Sequence, residues 1–324
     1  MSKVIRFHQT GGPEVLQWDD IDVGEPSENQ ILVRHTAIGL NYIDTYHRSG
    51  LYPLPLPSTI GMEAAGVILK IGINVKGLTE GDRIAYASPP PGSYSEERLI
   101  DADKVVTIPS GVSDEIAAAM MLKGLTAQYL IRQIHKVSSG DTILIHAAAG
   151  GVGLIVCQWA KALGANVIGT VSTEEKAILA KANGCDYPVI YTKENFAERV
   201  MDITNGEKLP VVFDSIGKDT FEKSLDCLKP LGKMVSFGQA SGPIPPVDLG
   251  VFAQKGSLFF TRPTLFNYAG TSAELRDMST DLFSVVESGH VKIHIDQKFP
   301  LSEARAAHEA LESRQTTAST ILIP

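Results

Sequence analysis

Cysteine is scarce in this chain of 324 residues: there are three, Cys157, Cys185 and Cys227. An odd and widely spaced set argues against a disulfide framework and for a reducing cytoplasm. Basic charge is also short, with 29 Lys and Arg against 37 Asp and Glu and a net charge of −8. That balance excludes the basic surface needed for sequence-independent nucleic-acid binding. No unbroken apolar run is long enough for a membrane span. The longest notable uncharged stretch, Thr142–Ala160, is interrupted by Gly150, Gly151, Gly153, His146 and Gln158. The opening MSKVIRFHQT lacks the apolar stretch of a secretory signal. Metal-ligand clusters are missing too. No two cysteines are neighbours, and His290 and His294 lie in HVKIHI, which reads as a strand where they are only remote i, i+4 neighbours. There is no G-x-S-x-G nucleophile turn. No metal is expected, and the chemistry must come from elsewhere.

What is present is apolar bulk. Hydrophobic residues make up 44% and charged residues 20%, enough to bury a large core, and the length predicts two domains. Residues 1–120 read as short strands between Gly/Pro/Asp turns. GVILKIG alternates Val67, Leu69 and Ile71 on one face, and DRIAYA and DKVVTIP are similar. Near residue 113 the rhythm changes. VSDEIAAAMMLKGLTAQYLIRQI is helix-rich, and strands and helices then alternate: ILIHA, a helix with Val152, Val156, Trp159 and Leu163 on one face, NVIGTV, EEKAILAKANG ended by Gly184, PVIY, ENFAERVMDIT, VVFDSIG, DTFEKSLDCL and GKMVSFG. Repeated β–α units predict an α/β fold with a doubly wound parallel sheet. The C-terminal DLFSVVESG, LSEARAAHEALESR and TILI return to mixed structure, expected to pack back on the β-rich first part.

The stretch HAAAGGVG (146–153) joins the ILIHA strand to its helix with almost no side chains. Its pattern Ala148-x-Gly150-x-x-Gly153 is the dinucleotide fingerprint with alanine at the first glycine. Gly150 admits a pyrophosphate to backbone N–H groups, Gly153 lets the helix lie on the strand, and the helix dipole supplies positive potential. A tight turn with no ligand is the plain alternative. The following strand ends in GTVSTEEK. Its tip carries no carboxylate for a ribose 2′-hydroxyl but small hydroxyls, with Lys176 one helical turn on, which suits the 2′-phosphate of NADP(H). Glu174 and Glu175 read as first-turn residues that point away, and Lys176 could also be an ordinary solvated lysine. The chemistry then rests on the nicotinamide.

The segments GGPEVL (11–16), GLNYIDTYHRSGLY (39–52), GMEAAG (61–66), GDRIAY (81–86), LKGLTAQYL (122–130) and HAAAGGVG resemble the medium-chain dehydrogenase/reductase superfamily. In particular they are similar to its zinc-free, zeta-crystallin-like NADPH:quinone oxidoreductases. CQWAKALGANVIGTV, FDSIG, VSFGQASG, KGSLFFTRPTL and the closing ESR extend the resemblance over essentially the whole chain. Where zinc-dependent relatives carry a histidine ligand, Met62 stands here. GLNYID replaces their cysteine ligand, and a lone Glu63 cannot hold catalytic zinc. The resemblance implies a GroES-like catalytic domain of residues 1–123 completed by 262–324, a Rossmann domain of 124–261, and an active site in the cleft. It implies a homodimer, for which LFFTRP is the candidate edge strand.

By the same resemblance, Asn41, Asp44, Tyr46 and Tyr52 would line the nicotinamide and quinone pocket, with Tyr42 where phenylalanine is common. Thr126 and Tyr129 would lie near the nicotinamide, and Gly151 and Val152, with Gly150 and Gly153, would take the pyrophosphate. Ser172 and Lys176 would meet the 2′-phosphate, Tyr191, Ile216, Phe237 and Gly238 would border the adenosine and nicotinamide, and Arg314 would reach the phosphate side. On residues alone, Asn41 could be a turn residue and Tyr46 and Tyr52 packed tyrosines. The implied activity is NADPH-dependent quinone reduction by hydride or single electrons, with protons from Tyr46, Tyr52 or water. The alternatives are reduction of α,β-unsaturated aldehydes or ketones, and NADPH binding without turnover.

Overall fold

In the computed structural model, which describes residues 1–313 and 316–324, the chain divides into two units. One comprises Met1–Leu125, Ala269–Glu287 and Ile293–Pro324, the other Thr126–Tyr268 and Ser288–Lys292.

The first unit opens with β1 (Ser2–Phe7) and β2 (Gln17–Ile21), followed by the long β3 (Gln30–Leu40), helix α1 (Tyr42–Ser49) and β4 (Ser58–Thr59). Next come β5 (Glu63–Ile71), β6 (Arg83–Ala87), β7 (Glu97–Asp101) and β8 (Val106–Thr107). β1 pairs antiparallel with β2 and β4, while β3 pairs with β5 and β7 through a second, larger sheet. Val33, Ile38, Leu40, Ile68, Ile84 and Tyr86 lie in its core cluster. The alternation in GVILKIG exists, and Val67, Leu69 and Ile71 share the outer face. Ile68 and Ala64 are buried in the core, Val67 and Leu69 are half-buried, and Ile71 is exposed. Both alternate sets are apolar there, so a period of two cannot choose the inner face. DKVVTIP is strand only at Val106–Thr107, because Ala102–Lys104 forms a 3₁₀ turn.

Helix α2 (Asp114–Gln128) is apolar all round and runs into a π-helical turn, Tyr129–Ile134. The second unit then alternates β9 (Thr142–Ile145), α3 (Gly151–Ala162), β10 (Asn166–Val171), α4 (Glu174–Ala182), β11 (Tyr187–Ile190), α5 (Phe196–Ile203), β12 (Leu209–Asp214), α6 (Phe221–Asp226) and β13 (Leu228–Ser236). It ends with α7 (Gly250–Gln254), β14 (Phe259–Thr261) and α8 (Leu265–Tyr268). The strands form one parallel sheet in the order β11-β10-β9-β12-β13-β14. This is the doubly wound dinucleotide-binding order. Its direction reverses between β9 and β12, and ligands bind outside the carboxyl ends of the strands at such a point.

The chain closes with α9 (Ser272–Glu287), β15 (Ile295–Pro300), α10 (Ala304–Glu312) and β16 (Ser319–Ile323), the last pairing antiparallel with β3. HVKIHI is not the predicted strand, which begins only at Ile295. The Gln158 amide takes both backbone groups of Lys292, donating to its carbonyl at 3.0 Å and accepting from its N–H at 2.8 Å. A side chain thereby replaces the sheet ladder. No helix among the described residues is long and apolar enough to cross a membrane.

Candidate active site

In the second unit the turn after β9 is drawn tight by its backbone. Ala147 adopts a left-handed φ of 54°, and the N–H of Ala148 reaches the Thr170 carbonyl of β10 at 3.0 Å. A Cβ on Gly153 would lie 2.3 Å from the Ala147 carbonyl oxygen and 2.7 Å from Ala148 Cα, so only glycine lets α3 sit this close. The alanine at the first fingerprint position is accommodated from across the sheet: a Cβ on Gly169 of β10 would fall 2.5 Å from that of Ala148. No side chain caps α3. Its first turn therefore offers backbone N–H groups and dipole to an anion, and this cradle fits the pyrophosphate of a dinucleotide. Gly151 and Val152 stand half-buried at that end.

His146 opens the motif but lies beneath it, fully buried between the hydroxyls of Thr170 and Ser224, each at 2.9 Å. Burial lowers its pKa and keeps it neutral. Asp214, at the end of β12, accepts the N–H groups of Ile216 (2.7 Å) and Gly217 (3.0 Å) and the Thr220 hydroxyl (2.7 Å). Its carbonyl accepts the N–H of Phe237, which brings Ile216, Phe237 and Gly238 together past the carboxyl ends of β12 and β13. Thr126 and Tyr129 are buried. The Tyr129 ring stacks on Tyr268 at 4.6 Å, and burial pushes its hydroxyl pKa up.

At the tip of β10, Thr173 caps α4 by accepting the N–H of Lys176. Ser172 and Lys176 are half-buried, and the Thr192 hydroxyl ties the turn after β11 to the Ser172 carbonyl at 2.9 Å. Tyr191, in that turn, is 44% exposed. Both neighbouring carboxylates are occupied. Glu174 pairs with Lys193 at 2.7 Å, and hydrogen bonds from its own N–H and the Thr173 hydroxyl hold Glu175 below the usual carboxylate range. Arg314 lies outside the described residues.

In the first unit, Asn41 caps α1. Its N–H donates to Asp44 Oδ2 at 2.9 Å, and its amide donates to Glu63 Oε2 at 2.7 Å. Glu63 also accepts from Lys123 Nζ (3.2 Å) and the Leu122 N–H (2.8 Å). Gly39 makes room for it, since a Cβ there would sit 2.2 Å from Glu63 Oε2. The carboxylate is surrounded by donors, and no group of three or more His, Cys, Asp or Glu suited to a metal occurs among the described residues. This donor set does not fit zinc, whose ligands must present lone pairs. The rings of Tyr42, Tyr46 and Tyr52 follow one another, with centroids 6.2 and 5.3 Å apart, and His47 lies edge-on to Tyr52. Burial lowers the His47 imidazole to about 4. Lys123, Tyr94, Arg48 and His308 belong to this buried network, and sequence reading missed them. A buried lysine in the apolar segment MMLKGL was the one available signal.

The strand order and the cradle define a Rossmann nucleotide-binding unit, joined here to a β-rich GroES-like one. Two family models agree: an alcohol dehydrogenase GroES-like domain over residues 27–137 and a zinc-binding dehydrogenase domain over 151–284. A quinone oxidoreductase of Pseudomonas aeruginosa is 54% identical over the full length of both chains. A 2-haloacrylate reductase of a Burkholderia species is 47% identical over 98% of each. Among solved structures, Escherichia coli quinone oxidoreductase complexed with NADPH matches with a TM-score of 0.98 and 51% identity, over 99% of this chain and 100% of that one. The chain belongs to the medium-chain dehydrogenase/reductase superfamily, in its zeta-crystallin-like quinone oxidoreductase branch.

Proposed function

We propose that this protein is an NADPH-dependent quinone reductase that works without a metal. The observation that carries the reading is the side-chain-poor cradle at the carboxyl end of β9, where the sheet order reverses. NADPH, when bound, supplies the hydride or the electrons. The chain supplies position and hydrogen bonds. Residues 124–261 hold the nucleotide: Gly150, Gly151, Val152 and Gly153 meet the pyrophosphate, Ser172 and Lys176 the 2′-phosphate, and Tyr191, Ile216, Phe237 and Gly238 border the adenosine and nicotinamide. Arg314 serves the phosphate side. Residues 1–123 and 262–324 receive the acceptor. Asn41, Tyr42, Tyr46 and Tyr52 form the pocket with Asp44 buried behind Asn41, Thr126 and Tyr129 adjoin the nicotinamide, and the proton comes from the Tyr46 or Tyr52 hydroxyl or from water.

A homodimer in the cytoplasm completes the proposal. β14 is an edge strand with Phe259 and Phe260 exposed, a row of unpaired backbone groups ready for a second copy. A second reading, hydride delivered to carbon of a conjugated acceptor, is favoured by the resemblance to 2-haloacrylate reductase. An acceptor panel separates the two. With NADPH, 1,4-benzoquinone should turn over faster than enones or 2-haloacrylates, and the reverse order would replace the first reading with the second.

A further inference from the structure

The first unit buries a chain of polar groups that runs from α10 to Asn41. Glu312, partly exposed, pairs with Arg48 at 2.7 Å, and Arg48 Nη1 donates to His308 Nδ1 at 3.0 Å. An arginine can only donate, so the His308 proton sits on Nε2, 3.2 Å from the Tyr94 hydroxyl. The Tyr94 hydroxyl, accepting that proton, donates its own to Asp44 Oδ2 at 3.1 Å. The Asn41 N–H ends on the same oxygen. Every donor is thus aimed at Oδ2, while Oδ1 of the fully buried Asp44 has no partner.

We propose that Asp44 carries a proton on Oδ1 in the working enzyme, that this proton keeps the buried array around Asn41 neutral, and that the Tyr94 hydroxyl, held in place by His308 and Arg48, lowers the pH at which it is lost. With the proton on Oδ1, Oδ2 still accepts both of its hydrogen bonds. Ionisation would spread charge onto Oδ1 as well as Oδ2, leaving part of it where no donor meets it, which costs more than one unmet O–H. The local charges agree. Glu63 and Lys123 cancel, as do Arg48 and Glu312, so an ionised Asp44 leaves the array one charge negative. The groups facing Asp44 are Asn41, Tyr94, Lys123 and Glu63. Burial raises its carboxyl to about 7. The Asn41 N–H, the Tyr94 hydroxyl and the Lys123 charge oppose that rise, and Glu63 adds to it. His308 behind Tyr94 is neutral, since burial and the Arg48 charge lower it to about 3.

The consequence for turnover rests on the proposed function. An acceptor that receives a hydride gains negative charge before its proton arrives, and a neutral Asp44 tolerates that charge where an ionised one opposes it. Asp44 is in this role a positioning residue. Turnover should therefore fall as pH rises through its ionisation. The test is infrared spectroscopy of the full-length protein across pH, paired with the pH profile of kcat. A protonated-carboxyl C=O band should persist at pH 6, disappear with a midpoint near neutrality, and be missing in Asp44→Asn. In Tyr94→Phe, which loses a donor to the carboxylate, the midpoint should rise by about one pH unit, and the alkaline limb of kcat should move with it. A band already gone at pH 6, or a Tyr94→Phe midpoint unmoved or lowered, would overturn the proposal even if Asp44→Asn does not fold. If the band behaves as described but no quinone is reduced, the charge assignment stands and the functional reading falls.

Discussion

The cradle after β9 and the array around Asn41 are opposite solutions to holding charge. The cradle is made by removing side chains: glycines and alanines bring backbone N–H groups and a helix dipole to an anion, so its specification is local in the chain. The array is made by adding them. Asn41, Glu63, Tyr94, Lys123 and His308 come from five separate segments and satisfy one another in a water-poor interior. A backbone site tolerates little change in volume, whereas a side-chain site tolerates little change in charge.

The largest effect should come from breaking charge balance in the array. Lys123→Met leaves Glu63 buried without its ammonium and should cost about 3–5 kcal/mol in urea unfolding. A loss within experimental error would mean that Asn41 and the Leu122 N–H suffice for that carboxylate. Next comes volume in the cradle. Gly153→Ala pushes a methyl into the Ala147 carbonyl, costing about 1–3 kcal/mol and abolishing measurable NADPH binding by calorimetry. Normal binding would show that α3 can move off its strand. Smaller still, Lys176→Ala should weaken NADPH binding about 10–100-fold and leave NADH alone, and an unchanged NADPH/NADH preference would remove Lys176 from the 2′-phosphate site. A separate effect concerns pH dependence. Asp44 binds its proton more tightly folded than unfolded, its carboxyl rising from 3.8 to about 7, so its contribution makes stability fall as pH rises through that window. Chemical unfolding at pH 5 and pH 8 should show that slope reduced in Asp44→Asn, and an identical slope would argue that Asp44 is ionised throughout.

The same contrast explains what the sequence disclosed. The parallel sheet was legible because β9 to β12 are short apolar runs each followed by a helix, and the fingerprint lies within eight residues. The inner face of β5 was not, because Gly66, Ile68 and Val67, Leu69 are apolar on both sides. Residues 290–294 looked like a strand until the Gln158 amide, remote in sequence, took the Lys292 backbone. The donors that saturate Glu63 and Asp44 were invisible for the same reason: no spacing in the chain announces that Lys123, Tyr94 or His308 will meet them. Met62 and Asn41 hinted that a cation would not sit there, but not what would.

Metal-free quinone reduction is tested by the rate of NADPH oxidation with 1,4-benzoquinone after exhaustive treatment with a metal chelator. Turnover should be undiminished with NADPH and much slower with NADH. A rate that vanishes on chelation and returns with Zn²⁺, or NADPH left unoxidised by the untreated protein, would contradict it.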